Sequence, residues 1–255
     1  MIVLGIETAT ELVGVSVVGD EGPLASSWVR GGRRHAETLA PLVSQVLGLA
    51  DLGLADLTGV GVDIGPGLFT GLRVGVATAK GLAEGLGVGL VGVGSLRALG
   101  TAACRAGYAG TVTAVIDARR SEVFVARYRS TAGGVEELEG PRVVAPEQLA
   151  RDLAARSDRL PTLVVGDGAL RYAATLGAVH GVTVGDAAFA APPADVVASL
   201  AAARFAQAVA GGEPLPVVDA VVPDYLRGPD ARINWQQRSG GAAGPAAQLD
   251  VRGRR

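Results

Sequence analysis

The stretch from Gly65 to Gly92, GPGLFTGLRVGVATAKGLAEGLGVGLVG, carries the strongest structural signal in this 255-residue chain. Small residues recur in it at every fourth position, at Gly67, Gly71, Gly75, Ala79 and Ala83. Because residues four apart share one face of a helix, the spacing predicts a helix from about Phe69 to Gly85 with a ridge of small side chains. Mid-helix glycine costs about 1 kcal/mol relative to alanine, so the ridge must serve close packing, either inside the subunit or against a partner.

These glycines do not form a nucleotide-binding motif. A Walker-type phosphate loop ends in Gly-Lys-Ser/Thr, a sequence that occurs nowhere in the chain. The spacing of a dinucleotide fingerprint occurs at Gly87, Gly89 and Gly92, but these residues precede and enter a predicted strand, whereas the fingerprint leaves a strand and opens a helix. Arg73 and Lys80 interrupt the segment, which disfavours a membrane-embedded helix pair.

Outward from this helix, the chain predicts the same order of elements twice. Three strands are followed by alternating helices and strands in the first half, and the order starts again at Thr113, with a short helix at Leu170 to Leu176 and a long one at Ala194 to Ala210. This is the arrangement of a duplicated ribonuclease-H-like core, as in actin-like ATPases. We therefore predict an α/β protein with an actin-like ATPase fold, in which each of two domains has a mixed sheet flanked by helices.

The predicted domain boundaries follow from this duplication. We place the first domain at residues 1–106, including the glycine-bearing helix, and the second at residues 107–232. Glycine, alanine, arginine, glutamine and serine dominate the C-terminal end, which predicts a mobile tail over residues 233–255. The excess of arginine near this end leaves a weak contact with phosphate open beside the simpler interpretation as a solvated tail.

Composition limits the classes of function. The hydrophobic fraction of 49% suffices for a core, and a formal net charge of −2 provides no global basic field for nucleic acid or an anionic membrane. The N-terminus lacks the basic region of a signal peptide, and no apolar run reaches about 18 residues, so we predict a cytoplasmic protein without a membrane span. The single cysteine, Cys104, cannot form an internal disulfide.

Candidate catalytic groups are scarce. His35 and His180 are far apart in the sequence and cannot build a closed zinc site with one cysteine, so no metal is expected. We expect His35 at the surface near the start of the first helix, or as its cap. No Ser-His-Asp set can be identified, and Cys104 has no evident base, which argues against a peptidase.

The segment Gly65 to Gly75, GPGLFTGLRVG, resembles the GPGSFTGLRIG signature of the TsaB family, formerly called YeaZ. Five further segments match that family in order: Ile6-Glu7-Thr8, His35-Ala36-Glu37, Ile116-Asp117-Ala118-Arg119-Arg120, Gly166-Asp167-Gly168 and Pro223-Asp224-Tyr225-Leu226-Arg227. The resemblance covers about residues 1–228. Like the repeated element order, it implies an actin-like fold.

The resemblance also implies a function. Proteins of this family support the formation of threonylcarbamoyladenosine beside the anticodon of ANN-decoding tRNAs without catalysing it. They bind TsaD, the metal-dependent transferase, and work with the ATPase TsaE after TsaC has made threonylcarbamoyl-AMP. The chain would then need no cofactor of its own. Any ATP would bind to the assembled complex, and the chain would contact tRNA only as part of that complex. Alone, the protein is expected to form a homodimer, since a ridge of small residues is self-complementary under two-fold symmetry.

The family's association surface is the helix that bears this signature. The resemblance therefore makes interface candidates of Gly67, Phe69, Thr70, Gly71, Leu72, Arg73, Val74 and Gly75. Two positions depart from the family pattern. Leu68 replaces a serine, which leaves Thr70 as the expected hydroxyl cap of the helix, and Glu7 replaces an aspartate.

The two turns that approach phosphates in actin-like kinases are glycine-rich. Here they read Glu7-Thr8-Ala9-Thr10 and Asp117-Ala118-Arg119-Arg120, without glycine, so side chains would crowd a phosphate, although the two arginines could hold an anion. We predict a vestigial nucleotide cleft at Glu7, Thr8, Asp117, Arg119, Gly166 and Gly168. Two alternatives stay open: an actin-like-fold kinase or ATPase acting on a small molecule, and an RNA-binding module that uses the arginine-bearing tail.

Overall fold

The computed structural model of the protein describes residues 1–30, 34–158, 160–214 and 217–226. Two five-stranded mixed sheets form its framework. The first sheet contains β1 (Val3–Glu7), β2 (Leu12–Gly19), β3 (Gly22–Arg30), β4 (Gly59–Gly65) and β5 (Gly89–Gly94). The second contains β6 (Thr111–Arg119), β7 (Glu122–Thr131), β8 (Gly134–Val144), β9 (Thr162–Val165) and β10 (Val182–Val184). The helices are α1 (His35–Leu49), α2 (Phe69–Leu86), α3 (Ser95–Arg105), α4 (Pro146–Ala154), α5 (Asp167–Arg171), α6 (Ala173–Gly177) and α7 (Ala194–Gly211).

Both sheets have the same topology. The strand order is β3-β2-β1-β4-β5 in the first and β8-β7-β6-β9-β10 in the second. In each sheet the first three strands form an antiparallel meander, and the last two are parallel to the central strand. The predicted duplication and the actin-like fold are therefore confirmed. One detail of the prediction was wrong: the short helix at Leu170 to Leu176 is two helices, α5 and α6, separated at Tyr172.

The central strands are apolar because helices cover both of their faces. Every residue of β1 is buried, as expected for a strand that lies between two layers. On one face, α1 and α2 close a core around Leu4, Ile6, Val60 and Val62. On the other face lies α7, from the far end of the chain.

The two halves of the chain exchange helices. The helix α3, which follows the first sheet, packs on β6 and β7 of the second, whereas α7, which follows the second sheet, packs on the first. A sequence boundary near residue 106 thus separates α7 from the sheet that it covers. The domain limits 1–106 and 107–232 stay predictions, and the predicted tail at 233–255 lies outside the described residues.

Glycine in the strands lets α7 approach the first sheet. A methyl group at Gly5 would overlap the carbonyl oxygen of Ala194 and the side chain of Ala198, and one at Gly61 would overlap Ala201. Close backbone approach therefore fixes where the C-terminal helix sits.

After α7, residues 217–226 return along α2, and we refer to them as the C-terminal segment. Lys80 Nζ donates to the carbonyl oxygen of Asp219 at 3.2 Å, Val221 is buried in the first core, and the Asp224 amide donates to the carbonyl of Ile64 at 2.7 Å. The segment is thus held at several points along its length.

Replacing Gly5 by alanine should destabilise the protein by about 1–3 kcal/mol, because the added methyl group has no room between β1 and α7. The matched control is Gly48→Ala in α1, where an added Cβ meets no atom within 4 Å, and which should stabilise the protein by up to about 1 kcal/mol. Urea unfolding followed by circular dichroism measures both changes. Equal stability of the Gly5→Ala variant and the parent would contradict the close packing of α7.

Candidate functional site

The small-residue ridge of α2 faces its own subunit. A methyl group at Gly67 would overlap the carbonyl of Ala9, and methyl groups at Gly71 and Gly75 would overlap the carbonyl and hydroxyl oxygens of Thr8. The Thr8 hydroxyl donates to the carbonyl of Gly71 at 2.9 Å. The β1–β2 turn is therefore pressed against the start of α2.

Of the two alternatives for the ridge, packing inside the subunit and contact with a partner, this arrangement supports the first. Ala79 and Ala83 continue it, and they are fully buried beside the first core. Of the predicted interface residues, Gly71, Leu72 and Gly75 are buried and Gly67 is half-buried. The steric basis that we gave for a homodimer is absent as well, because the ridge is already occupied.

The start of α2 also differs from expectation. The helix begins at Phe69 with Leu68 as its N-cap residue, and no side chain caps it, so the prediction of Thr70 as the hydroxyl cap was wrong. Instead, the Leu68 amide donates to the carbonyl of Ala9 at 2.7 Å. The β1–β2 turn thus binds the backbone at the residue that precedes the first turn of the helix.

The opposite face of α2 presents predicted interface residues to solvent. Phe69 is 49% exposed, Thr70 and Arg73 are exposed, and Val74 is half-buried. The Arg73 guanidinium carbon lies 3.7 Å from the centroid of the Phe69 ring. The Tyr225 ring centroid lies 5.2 Å from that of Phe69, and Arg73 Nε donates to Tyr225 Oη at 3.2 Å. We call Phe69, Arg73 and Tyr225 the surface triad.

A cleft of about 870 Å³ opens beside the triad, where the two halves of the molecule meet. Its lining within the described ranges is Glu11, His35, Leu68, Phe69, Thr70, Gly71 and Arg119. Sequence reasoning predicted Arg119 at this cleft but missed Glu11. His35 begins α1, as expected, but it is neither a surface residue nor the cap of the helix. It is only 3% exposed, and its Nε2 lies 2.9 Å from the carbonyl oxygen of Thr10.

Arginines neutralise the carboxylate at the end of β6. Asp117 Oδ2 accepts from Arg119 Nη1 at 3.2 Å and from Arg171 Nη1 at 3.1 Å, while Oδ1 accepts from the Arg119 amide at 3.0 Å. Arg119 Nη2 also donates to Glu11 Oε1 at 3.2 Å. The predicted cleft residues Asp117 and Arg119 are therefore brought together, and an ion pair joins the two halves across the cleft.

The other predicted cleft residues serve packing. Thr8 is buried under α2, and methyl groups at Gly166 and Gly168 would overlap the backbone of β6. Gly166 has φ 115°, a conformation that favours glycine, and both glycines let α5 lie close to the sheet. Asp167 Oδ1 accepts from the Asp117 amide at 2.9 Å, and burial, together with the charge of Asp117, raises the pKa of the Asp167 carboxyl.

Glu7 and Asp63 end the neighbouring strands β1 and β4. Burial raises the pKa of Glu7 well above its ordinary value, and the charge of Asp63 raises it further. The Ala9 and Thr10 amides, which donate to Glu7 Oε1, lower this pKa by a smaller amount. Burial raises the pKa of Asp63 to about 7. Because both carboxyl groups are buried and their negative charges would repel each other, the pair favours a state that retains a proton.

Asp63 connects the strand end to α3. Its Oδ1 accepts from Ser95 Oγ at 2.5 Å and from the Gly65 amide at 2.8 Å, whereas its Oδ2 is buried without a partner among the described residues. Because Ser95 begins α3, this carboxyl group fixes the helix that passes from one sheet to the other.

Within the described ranges, no three histidine, cysteine, aspartate or glutamate side chains are grouped so that they could hold a metal ion. None of the helices in the same ranges is long and apolar enough to cross a membrane.

Comparison with known proteins relates this geometry to a family. A family model described as TsaD, tRNA N6-adenosine threonylcarbamoyltransferase, matches residues 30–235. The tRNA threonylcarbamoyladenosine biosynthesis protein TsaB of Escherichia coli K12 is 31% identical over 243 residues, which are 94% of this chain and 99% of that protein. The tRNA N6-adenosine threonylcarbamoyltransferase of Paracoccus denitrificans is 39% identical over 109 residues, covering 36% of this chain and 31% of that protein.

The solved structure of YeaZ from Pseudomonas aeruginosa superposes with a TM-score of 0.74 at 28% identity, over 88% of this chain and 99% of that one. The shared topology places the molecule among proteins of the actin-like ATPase fold. The relatives matched over their whole length define the group more narrowly: the chain belongs to the TsaB family, also called YeaZ.

A methyl group added at Gly75 should destabilise the protein by about 1–3 kcal/mol, because it collides with the Thr8 hydroxyl. Gly81→Ala on the same helix is the matched control. Its added Cβ meets no atom within 4 Å, so this variant should gain up to about 1 kcal/mol. Thermal unfolding compares the two. A Gly75→Ala variant of unchanged stability that no longer binds a partner would restore the ridge as an interface.

The free energy of unfolding should fall as the pH rises from 5 to 8, relative to that of an Asp63→Asn variant. Because its folded-state pKa of about 7 exceeds the ordinary 3.8, Asp63 stabilises the fold when protonated, and this contribution is lost as the pH rises through 7. The slope for one proton is at most about 1.4 kcal/mol per pH unit. Denaturant titrations at several pH values test this, with Glu84→Gln, an exposed carboxylate, as control. Parallel curves for the parent and Asp63→Asn would refute the expectation.

Proposed function

We propose that this chain is a non-catalytic subunit required for threonylcarbamoyladenosine formation in tRNA, which binds a TsaD-type transferase through the exposed face of α2. TsaE acts with this pair, and tRNA is bound by the assembled complex. The observation that carries the proposal is the surface triad, an ordered aromatic and arginine cluster exposed beside the cleft.

The composition of the triad suits a protein interface. Arginine and aromatic residues supply most of the binding energy at protein interfaces, where they act as preformed anchors. Phe69 and Tyr225 leave large apolar areas in water, and the contacts with Arg73 hold them in place. Ordering before binding lowers the entropy cost of association.

The cleft does not fit the metal nucleotide that actin-like ATPases bind. The oxygens of Asp117, where a metal ion would need a ligand, accept from Arg119 and Arg171. The β1–β2 turn lies directly on the backbone of α2, at Gly67 and Gly71, and so leaves no space for a phosphate between them. These contacts support a binding role over the kinase or ATPase alternative.

We also propose where the protein acts and whether it pairs with itself. A partner in tRNA modification belongs in the cytoplasm, as we predicted from composition. The homodimer of the isolated chain also stays a prediction, and the buried ridge no longer supplies its basis.

Expression of the chain in a bacterium depleted of its own TsaB should restore threonylcarbamoyladenosine, measured by mass spectrometry of tRNA nucleosides. Arg73→Ala should weaken binding to the purified transferase of the same genome by about tenfold or more, because it removes an anchor of the surface triad.

The matched control for this experiment is Arg129→Ala, which truncates a comparably exposed arginine on β7. It should bind as the parent does. Failure of the parent chain to bind the transferase, or turnover of MgATP by the isolated chain, would contradict the proposed function.

A further inference from the structure

The C-terminal segment supplies one of the three side chains of the surface triad. It is fixed by Lys80 at Asp219, by the burial of Val221 and by the hydrogen bond from the Asp224 amide to Ile64. Leu226, at its end, packs against the core of the second sheet. Tyr225 therefore stands on backbone that is held from both halves of the molecule.

Each side chain of the triad contacts the other two. The guanidinium of Arg73 stacks on the Phe69 ring at 3.7 Å, its Nε binds Tyr225 Oη at 3.2 Å, and the two rings pack at 5.2 Å with an interplanar angle of 35°. An isolated arginine on a helix surface samples many rotamers, so these contacts select one of them. Tyr225 is 42% exposed, so it also adds its own area to the surface.

We propose that Tyr225 determines the affinity and specificity of the α2 surface, by fixing the Arg73 guanidinium flat on Phe69 and by forming part of the contact area itself. This inference rests on the proposed function and extends it to a residue 152 positions beyond Arg73. The occupant is the TsaD-type transferase, which would present a carboxylate to Arg73 and an apolar side chain to the two rings.

The charge of this face argues for a partner other than a second copy of the chain. From Thr70 to Ala77, α2 carries Arg73 as its one charged residue. A two-fold pairing centred on this face would bring two Arg73 guanidinium groups together, whereas a different protein can offer a carboxylate. Among the described residues, Arg73 donates through Nε to Tyr225. Its two Nη groups are then placed for bidentate recognition of that carboxylate.

The test measures affinity for the purified transferase of the same genome by calorimetry. Tyr225→Ala should weaken binding about tenfold or more, because both the ring and the restraint on Arg73 are lost. Tyr225→Phe keeps the ring and removes the hydroxyl, and it should weaken binding about two- to tenfold. Trp28→Ala, which truncates a 69% exposed aromatic side chain on the edge strand β3, is the matched control and should have no effect.

A positioning role predicts coupling between the two residues. In an Arg73→Ala background, Tyr225→Phe should have no further effect on affinity, because the hydroxyl no longer has a guanidinium to hold. Melting temperatures of all variants are measured alongside. A Tyr225→Phe variant that melts like the parent shows that an affinity loss does not come from unfolding.

The outcomes separate this inference from the proposed function. If Arg73→Ala weakens binding but Tyr225→Ala and Tyr225→Phe do not, the role of Tyr225 is overturned while the α2 surface stands. If the parent chain does not bind the transferase, the proposed function fails first. If sedimentation shows that Tyr225→Ala abolishes self-association and leaves binding to the transferase unchanged, the occupant is a second copy and the inference is wrong.

Discussion

The packing of the β1–β2 turn on the glycine flank of α2 determines how the rest of the molecule is arranged. The carbonyl oxygen of Thr8 can lie against Gly71, and its hydroxyl against Gly75, only without Cβ atoms on that flank. This contact sets the rotation of α2 about its own axis, and so decides that Phe69 and Arg73 point outward. One steric constraint thus both joins the β1–β2 turn to α2 and creates the exposed face.

The exchange of α3 and α7 couples the two halves of the molecule. The helix α3, which connects the two sheets in sequence, packs on the second sheet, whereas α7, which follows the second sheet, packs on the first. The Asp63–Ser95 hydrogen bond joins β4 to the start of α3. The Glu11–Arg119 ion pair adds a contact across the cleft, although exposed pairs of this kind contribute at most about 1 kcal/mol. The relative position of the halves therefore depends mainly on buried helix contacts, and the ion pair has a smaller effect.

Periodicity predicted the fold well because it reports burial, and burial is what orders these elements. The β-rich run from Val13 to Val18 predicted β2, and the helical spacing of apolar residues from Glu37 to Ala50 predicted α1. The repeated order of elements revealed the duplication. Periodicity cannot tell which surface buries a small-residue ridge, so it did not reveal that Gly75 packs on Thr8. It also could not assign α7 to the first sheet, since that pairing joins residues about 190 positions apart, such as Gly5 and Ala194.

The candidate site was predicted only in part, because sequence patterns do not show which distant residues come together in the fold. The signature residues Phe69 and Arg73 were found by resemblance, and they lie at the surface. Tyr225 lay within a matching segment, but its contact with α2 arises only when the chain returns after α7. A residue brought in by such a return can change partner recognition without altering the helix that it completes. The glycines of α2 are fixed by packing, whereas Tyr225 is held by the C-terminal segment and stays partly exposed.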